Sequence, residues 1–426
     1  MDKHNPFLTR FKNFWKALGP GLITGASDDD PSAITTFSQA GARFGVATLW
    51  VALLAFPVLA SIQEMCARIG IVTKKGLTAV VKEHYPKWVL YILIGLSCPA
   101  FLLNIGADIS VLGETGNLLF PGIPSLYCSI AFTLLLFLLM LVLSFKRLIR
   151  VMKFVCLSLL VYVIVPFFYP LHIGAVLKNS FIPSFHLDKD YLMVVIGLTG
   201  AIISPYLFFW QTSTEVESME TKVDGMKPPE KKSFFTAMRK DIVSGAFFAV
   251  LIMYFVILTT GTVLHNNHIY EINTVQDAAA ALKPFAGKVS YILFSIGIIG
   301  TSFLIIPVLT GSISYILADA FNWKAGFDKS FANAKQFYII ILVAMCIGLA
   351  MQLLGISTVR ILLFTTVIYG VIAPFLIAII MHICNNKKIM GRYSNNRLAN
   401  IAGMVTLILM ILSVIALGYS LIPGTR

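Results

Sequence analysis

Three consecutive acids, Asp28-Asp29-Asp30, followed by Pro31, interrupt an otherwise apolar run from Gly19 to Gly41. A second apolar run, Val194 to Ser213, is interrupted between Gly200 and Ser204-Pro205. An Asp at the centre of a membrane-spanning helix costs on the order of 2.5–3.5 kcal/mol, so three in a row need a compensating partner. No Lys or Arg stands beside them as a counter-ion. Carboxylate, carbonyl and hydroxyl oxygens are hard ligands suited to Mg²⁺, Mn²⁺ or Ca²⁺. The chemistry expected here is cation binding by Asp30, the freed carbonyls of Ser27 and Ala201, and Ser204. Two plainer readings compete: Asp30 as no more than a helix cap, and Ser204 spending its hydroxyl on its own helix. Asp28 and Asp29 are expected as outlying acids of the same site or its vestibule. Tyr206, Gln211 and the mid-span acid Asp108 are further candidates. Gln39, Gln211 and Thr212 are expected on half-helices that run toward the outside. Neither break contains Met, Cys or His, so no soft ligand is on offer there.

Both breaks share one grammar, an acid or hydroxyl directly before a proline. Proline ends the helix before it and suits the first position of the next, while Asp and Ser cap that new helix. Two such breaks at corresponding places in two halves of a chain point to an inverted-repeat transporter architecture. Unwound backbone is tolerated in a membrane only where protein or a watery cavity satisfies it, which places the ligand at the breaks.

The elements that must hold these residues are membrane spans. Hydrophobic residues make up 58% of the 426-residue chain and charged residues 12%, about half the charged fraction of soluble domains. Apolar runs predict an all-α integral membrane protein with about eleven spans. These fall near 18–43, 45–70, 88–113, 124–144, 151–170, 190–214, 241–264, 285–319, 336–353, 357–384 and 399–421. The runs are continuous rather than alternating, which excludes a closed β-barrel. Residues 1–17 form an N-terminal segment and 18–421 one transmembrane domain. Within it, repeat one covers about 18–170, repeat two about 190–384, and an extra helix about 399–421. Met1 to Lys16 reads as an interfacial lead-in rather than a signal peptide. The longest polar connection is Glu215 to Lys240.

The net charge of +13 is not a nucleic-acid footprint. Roughly 26 Lys and Arg fall on the N-terminal side of the spans and about 7 on the other, which predicts a cytoplasmic N-terminus and an outside C-terminus in a plasma or inner membrane. The expected partners are the lipid bilayer and the transported ion, with no cofactor. Six cysteines lie singly along apolar helices without CxxC or Cys/His spacing, and are read as packing residues. Glu64, Arg68 and Lys74 are expected to form an ion-pair cluster. Asp241 is expected to start a helix, and Asp319 to end one against its dipole, which points to a gate or partner role.

Several motifs together resemble the NRAMP family. Asp30-Pro31-Ser32-Ala33 is similar to its Asp-Pro-Gly-Asn signature, followed by Gln39-Ala40-Gly41 and Phe44-Gly45. Ala67-Arg68-Ile69-Gly70-Ile71-Val72-Thr73 resembles the end of the family's second helix. Ala201-Ile202-Ile203-Ser204-Pro205-Tyr206 stands where the family has Ala-x-x-Met-Pro-His. The resemblance runs over nearly the whole chain, to Met390-Gly391. It implies a LeuT-type fold with inverted five-helix repeats, broken helices 1 and 6, and alternating access for transition-metal ions.

Departures from the pattern bear on the ion. The family's Asn ligand is Ala33 here and its sulfur ligand Met is Ser204. Its helix-6 histidines are Tyr206 and Gln211, and Ser110 replaces a proton-path Glu. Fewer side-chain ligands leave room for an ion that keeps its water, as Mg²⁺ does. This pattern resembles the NRAMP-related magnesium transporter branch more than the manganese/iron branch. The expected function is import of Mg²⁺ and/or Mn²⁺ with weak or no proton coupling. The alternatives are a proton-coupled manganese/iron transporter and, less favoured, an amino-acid/sodium symporter of the same fold, whose carboxylate substrate three acids would repel. No HExxH, GxSxG or Walker motif supports an enzyme.

Overall fold

A computed structural model describes residues 24–25, 27–142, 160–184, 188–220, 228–274, 277–278 and 290–420. The helices in chain order begin with α1 (Pro31–Phe44), α2 (Leu49–Thr73), α3 (Leu77–His84), α4 (Lys87–Leu119) and α5 (Ser125–Val142). They continue with α6 (Ile173–Phe181), α7 (Lys189–Ile202), α8 (Pro205–Glu220), α9 (Pro228–Val263) and α10 (Ser290–Phe321). The series ends with α11 (Lys335–Met351), α12 (Thr358–Asn385) and α13 (Arg397–Ser420), and no strand occurs among the described residues. Nine helices among them are long and apolar enough to cross a bilayer, with α7 and α8 together making one such span. At 14 residues, α1 rises only about 21 Å, so it is the second half of a broken first span. The expected 151–170 span is described only from Leu160 onward, as a helical turn Val161–Ile164 and a 3₁₀ turn. The 1–17 segment and Cys156 lie outside the described residues; the five other cysteines are free.

Burial sorts the spans. The α10 span is 89% buried and the broken α7/α8 span 72%, against 28% for α5 and 17% for α13. Leu134, Leu135 and Leu138 on α5, and Leu398, Ile401 and Ile408 on α13, are exposed. Such an outer surface suits hydrocarbon rather than water. Against this shell the broken helices lie central: α1 packs on α9, α7, α12 and α4, and α8 packs on α2 and α10.

Proline positions the two breaks as its chemistry requires. Asp30 is extended (φ −73°, ψ 170°), Pro31 opens α1, and the Asp30 side chain caps it by accepting from the Ala33 N–H at 2.6 Å. Across the fold, Ile203 ends α7 at φ −109°, ψ 55°, and Pro205 opens α8. Glycine lets α7 cross α12 in backbone contact. A methyl on Gly200 would overlap the Thr366 carbonyl and the Gly370 backbone.

Several sequence expectations change. The polar stretch Glu215 to Lys240 is largely helical, belonging to α8 up to Glu220 and to α9 from Pro228. Pro228 and Pro229 occupy the start of α9, where a missing N–H costs nothing, so Asp241 lies well inside that helix rather than at its beginning. Glu64 and Arg68 do not form one cluster. Glu64 pairs with Arg239 of α9 at 3.3 Å, whereas Arg68 donates to Asn395 Oδ1 at 2.7 Å. Asp319, at the end of α10, accepts from the Ala79 N–H in the first turn of α3 at 3.3 Å. Its charge is placed at the positive end of a neighbouring helix, which offsets the mismatch with its own.

Candidate functional site

The two breaks meet in the protein interior. Asp28, Asp29 and Asp108 are 0% exposed and Asp30 1%. Asp30 is the best-partnered of the four. Its Oδ1 accepts from the Ser32 hydroxyl and the Ala33 N–H, both at 2.6 Å. Its Oδ2 accepts from Asn104 Nδ2 of α4 at 3.1 Å. Neither carboxylate oxygen of Asp28, Asp29 or Asp108 has a hydrogen-bond partner among the described residues. The Ser204 hydroxyl lies beside Asp28, but donates its proton to the Ala201 carbonyl at 2.7 Å. Asp108 lies within electrostatic reach of Asp30 and Tyr369. Among the described residues no basic side chain pairs with any of these acids. Buried carboxylates in a medium of low dielectric demand a positive partner or protons.

Other oxygen atoms lie where the two breaks meet. The Ser27 carbonyl accepts from the Tyr206 hydroxyl at 3.4 Å, so Tyr206 bridges the two breaks. Tyr206 also packs edge-on against Tyr369 of α12, with ring centroids 5.7 Å apart, and against Phe101 of α4. The Ser27 hydroxyl turns back onto the Thr24 carbonyl at 2.9 Å. Ala33 contributes only backbone. Among the described residues no three Asp, Glu, His or Cys side chains converge as a metal-holding group. A cation at this place would be held by fewer than three such side chains, with neutral oxygens making up the rest.

Access differs between the two ends. At the Gln39 end a cavity of about 370 Å³ is lined by Arg43, Asp190, Glu271, Arg360 and Gln39, and reaches Thr36 and Thr366. These two hydroxyls lie 3.2 Å apart. Thr36 continues inward by donating to the Ser32 carbonyl at 2.8 Å, and the Ser32 side chain holds Asp30. Thr36 and Ser32 thus connect the cavity wall to the acid. Gln39 anchors a loop over this end, donating to the Tyr270 carbonyl at 3.0 Å and accepting from the Ile272 N–H at 2.9 Å. Arg43 adds bridges to Asp190 at 3.4 Å and Glu271 at 3.3 Å.

At the other end, hydrogen bonds tie the two broken spans together among the described residues. Gln211 accepts from the Thr24 hydroxyl at 2.5 Å and donates to Glu215 at 2.8 Å. Gln211 therefore belongs to the opposite end from Gln39, not to an outward-running half-helix as expected. The reason is geometric: α8 continues α7 in the same direction, and that span runs antiparallel to the first. Thr212 donates to its own helix at Phe208 and does not reach the break. Ser110 likewise turns to the Gly106 carbonyl at 2.8 Å.

Sequence reasoning missed Asn104 and the threonines Thr365 and Thr366. A signal for Asn104 existed, since it precedes Asp108 by one helical turn and shares its face.

Comparison with known proteins agrees with this architecture. The family described as Natural resistance-associated macrophage protein-like matches residues 21–420. The divalent metal cation transporter MntH of Bacillus subtilis is 26% identical over 413 residues, 94% of this chain and 91% of the relative. A crystal structure of the Eremococcus coleocola manganese transporter in complex with an aromatic bis-isothiourea compound superposes with a TM-score of 0.74 at 18% identity, over 99% of this chain and 89% of that one. MhsT in complex with L-phenylalanine follows at a TM-score of 0.64 and 13% identity, covering 93% and 98% of the two chains. At such identities the structural likenesses show the fold alone, which is of the LeuT type.

Proposed function

The chain belongs to the Nramp family, and from that premise we propose that it carries divalent metal cations across the membrane through a site at Asp30. Members of this family are transporters, not enzymes, and take the metal as substrate without a cofactor. The observation that carries the reading is the buried carboxylate cluster with no basic partner among the described residues. A divalent cation supplies the missing charge, held by Asp30 with the carbonyls of Ser27 and Ala201 and the hydroxyl of Ser204 close by. Asp28 and Asp29 raise the local negative potential, and Tyr206 ties the breaks together. The cavity at the Gln39 end and the hydrogen-bonded contacts at the Gln211 end suit alternating access, with loading from the Gln39 side.

Loss of the sulfur and amide side chains at positions 204 and 33 favours Mg²⁺ and Mn²⁺ over softer ions. Replacement of the helix-6 histidines by Tyr206 and Gln211 favours transport without proton coupling. The relatives named for manganese, together with the unpartnered Asp108 near Asp30, support a second reading in which Asp108 carries protons. The charge distribution favours a plasma-membrane protein with a cytoplasmic N-terminus, which makes the Gln39 end extracellular. The domain division into repeats near 18–170 and 190–384, with an extra helix near 399–421, is part of the same proposal.

Purified protein in liposomes tests this directly, with an internal metal indicator and an internal pH dye. Mn²⁺ and Mg²⁺ should enter down their gradients while the pH signal stays flat. Entry of neither ion sinks the transport reading, and acidification at a fixed ratio to metal sinks the uncoupled form of it.

A further inference from the structure

An amide is missing from position 33, yet an amide stands at Asp30, delivered from another helix. Asn104 lies midway along α4 and is fully buried. Its Nδ2 donates to Asp30 Oδ2 at 3.1 Å, and its Oδ1 accepts from the Thr365 hydroxyl of α12 at 3.1 Å. The Oδ1 atom of Asp30 is already engaged twice, by Ser32 and Ala33. Oδ2 is therefore the oxygen left for a cation, and the Asn104 amide group occupies it. A cation arriving there meets the positive end of that amide, so the amide must turn.

Turning it need not break the bond to Thr365. The terminal torsion of Asn is broad and two-fold, and a half-turn exchanges Oδ1 with Nδ2. Oδ1 then faces the cation while Nδ2 faces Thr365. The Thr365 hydroxyl also lies 2.7 Å from the Leu362 carbonyl of its own helix. With one proton and two lone pairs, it donates to Leu362 whenever it accepts from Asn104. Both orientations keep the bond between Asn104 and Thr365.

We propose that Asn104 is a direct ligand of the transported cation, supplying from α4 the amide oxygen that the chain lacks at Ala33. The proposal rests on the metal-transport reading with Asp30 as the carboxylate ligand. A neutral oxygen adds a hard ligand without adding a further negative charge beside Asp28, Asp29, Asp30 and Asp108.

The test uses the full chain in detergent with Mn²⁺ as the probe, combining calorimetry with pulsed electron paramagnetic resonance on protein carrying ¹³C at the asparagine carboxamides. Bound Mn²⁺ should show a ¹³C hyperfine coupling characteristic of direct ligation, absent from Asn104→Leu, whose Mn²⁺ affinity should fall about 10- to 100-fold. Asn104→Asp keeps an oxygen but has no N–H to donate to Asp30. As a ligand position it should still bind Mn²⁺ at least as tightly as the wild type, whereas a role confined to holding Asp30 predicts weakened binding. Absence of the coupling in labelled wild type with Mn²⁺ bound overturns the proposal, even if Asn104→Leu binds weakly. Should Asp30→Ala lose binding while Asn104→Leu keeps it, this proposal alone falls. Should Asp30→Ala bind as the wild type does, the transport site itself is misplaced.

Discussion

Asp30→Asn separates the two roles that Asp30 combines. As a cap, the residue accepts from the Ala33 N–H and the Ser32 hydroxyl. Asn caps helices as well as Asp does, so this term, typically about 1 kcal/mol, is preserved. The substitution also removes one of four buried carboxylates that lack a basic partner among the described residues. The metal-free protein should therefore melt no lower than the wild type. Binding is another matter. Removing one member of a buried charge pair costs about 3–5 kcal/mol, and each 1.4 kcal/mol is about tenfold, so affinity should fall roughly 150- to 4,000-fold. Thermal unfolding with and without Mn²⁺ reads both effects. At a concentration near 100 times the wild-type Kd, bound ion stabilises the wild type by about 2.7 kcal/mol, and a 100-fold weaker variant by only about 0.4 kcal/mol. Asp30→Ala, which lacks the cap as well, should lose a further ~0.5–2 kcal/mol in the metal-free state. The reasoning is refuted if Asp30→Asn retains the full Mn²⁺-dependent shift, or if its metal-free melting temperature drops as far as that of Asp30→Ala.

Ser204→Met combined with Ala33→Asn should move selectivity toward Cd²⁺ and away from Mg²⁺, as measured by competition in liposome uptake; unchanged preference would mean that other ligands set softness. Gln39→Leu removes both hydrogen bonds that hold the Tyr270–Ile272 loop. At about 0.5–1.5 kcal/mol each, hydrogen exchange at the Ile272 amide should accelerate on the order of tenfold, and unaltered protection would show that the loop is held elsewhere. Gly200→Val drives side-chain atoms into the Thr366 carbonyl and the Gly370 backbone. Overpacking typically costs about 1–3 kcal/mol, so a lowered melting temperature is expected, and wild-type stability would contradict the close α7–α12 crossing.

What the sequence disclosed was what local backbone chemistry dictates. Proline after an acid or hydroxyl marks where a helix must stop and restart, and both breaks lie where Pro31 and Pro205 put them. Long apolar runs disclosed the spans for the same reason, since membrane thickness sets their length. Partners brought from distant helices left no such local trace. Nothing near Asp319 announces the Ala79 N–H in the first turn of α3 as its donor, and nothing near Asp30 announces Asn104. Even so, Asn104 was within reach of a stricter reading. Asp108 drew notice as a lone acid in an apolar helix, and the residue one turn before it is also polar. Two polar residues on one face of a buried helix say more together than either does alone. The placement of Gln211 failed differently. The sequence locates its helix but carries no local mark of which end each half-helix faces. A broken span keeps its direction across the break, and two antiparallel broken spans send their second halves to opposite ends. Gln39 and Gln211 therefore lie toward different ends, one lining a cavity and one bonded to Thr24 and Glu215. If the chain works by alternating access as proposed, the contacts of these two glutamines must break in turn.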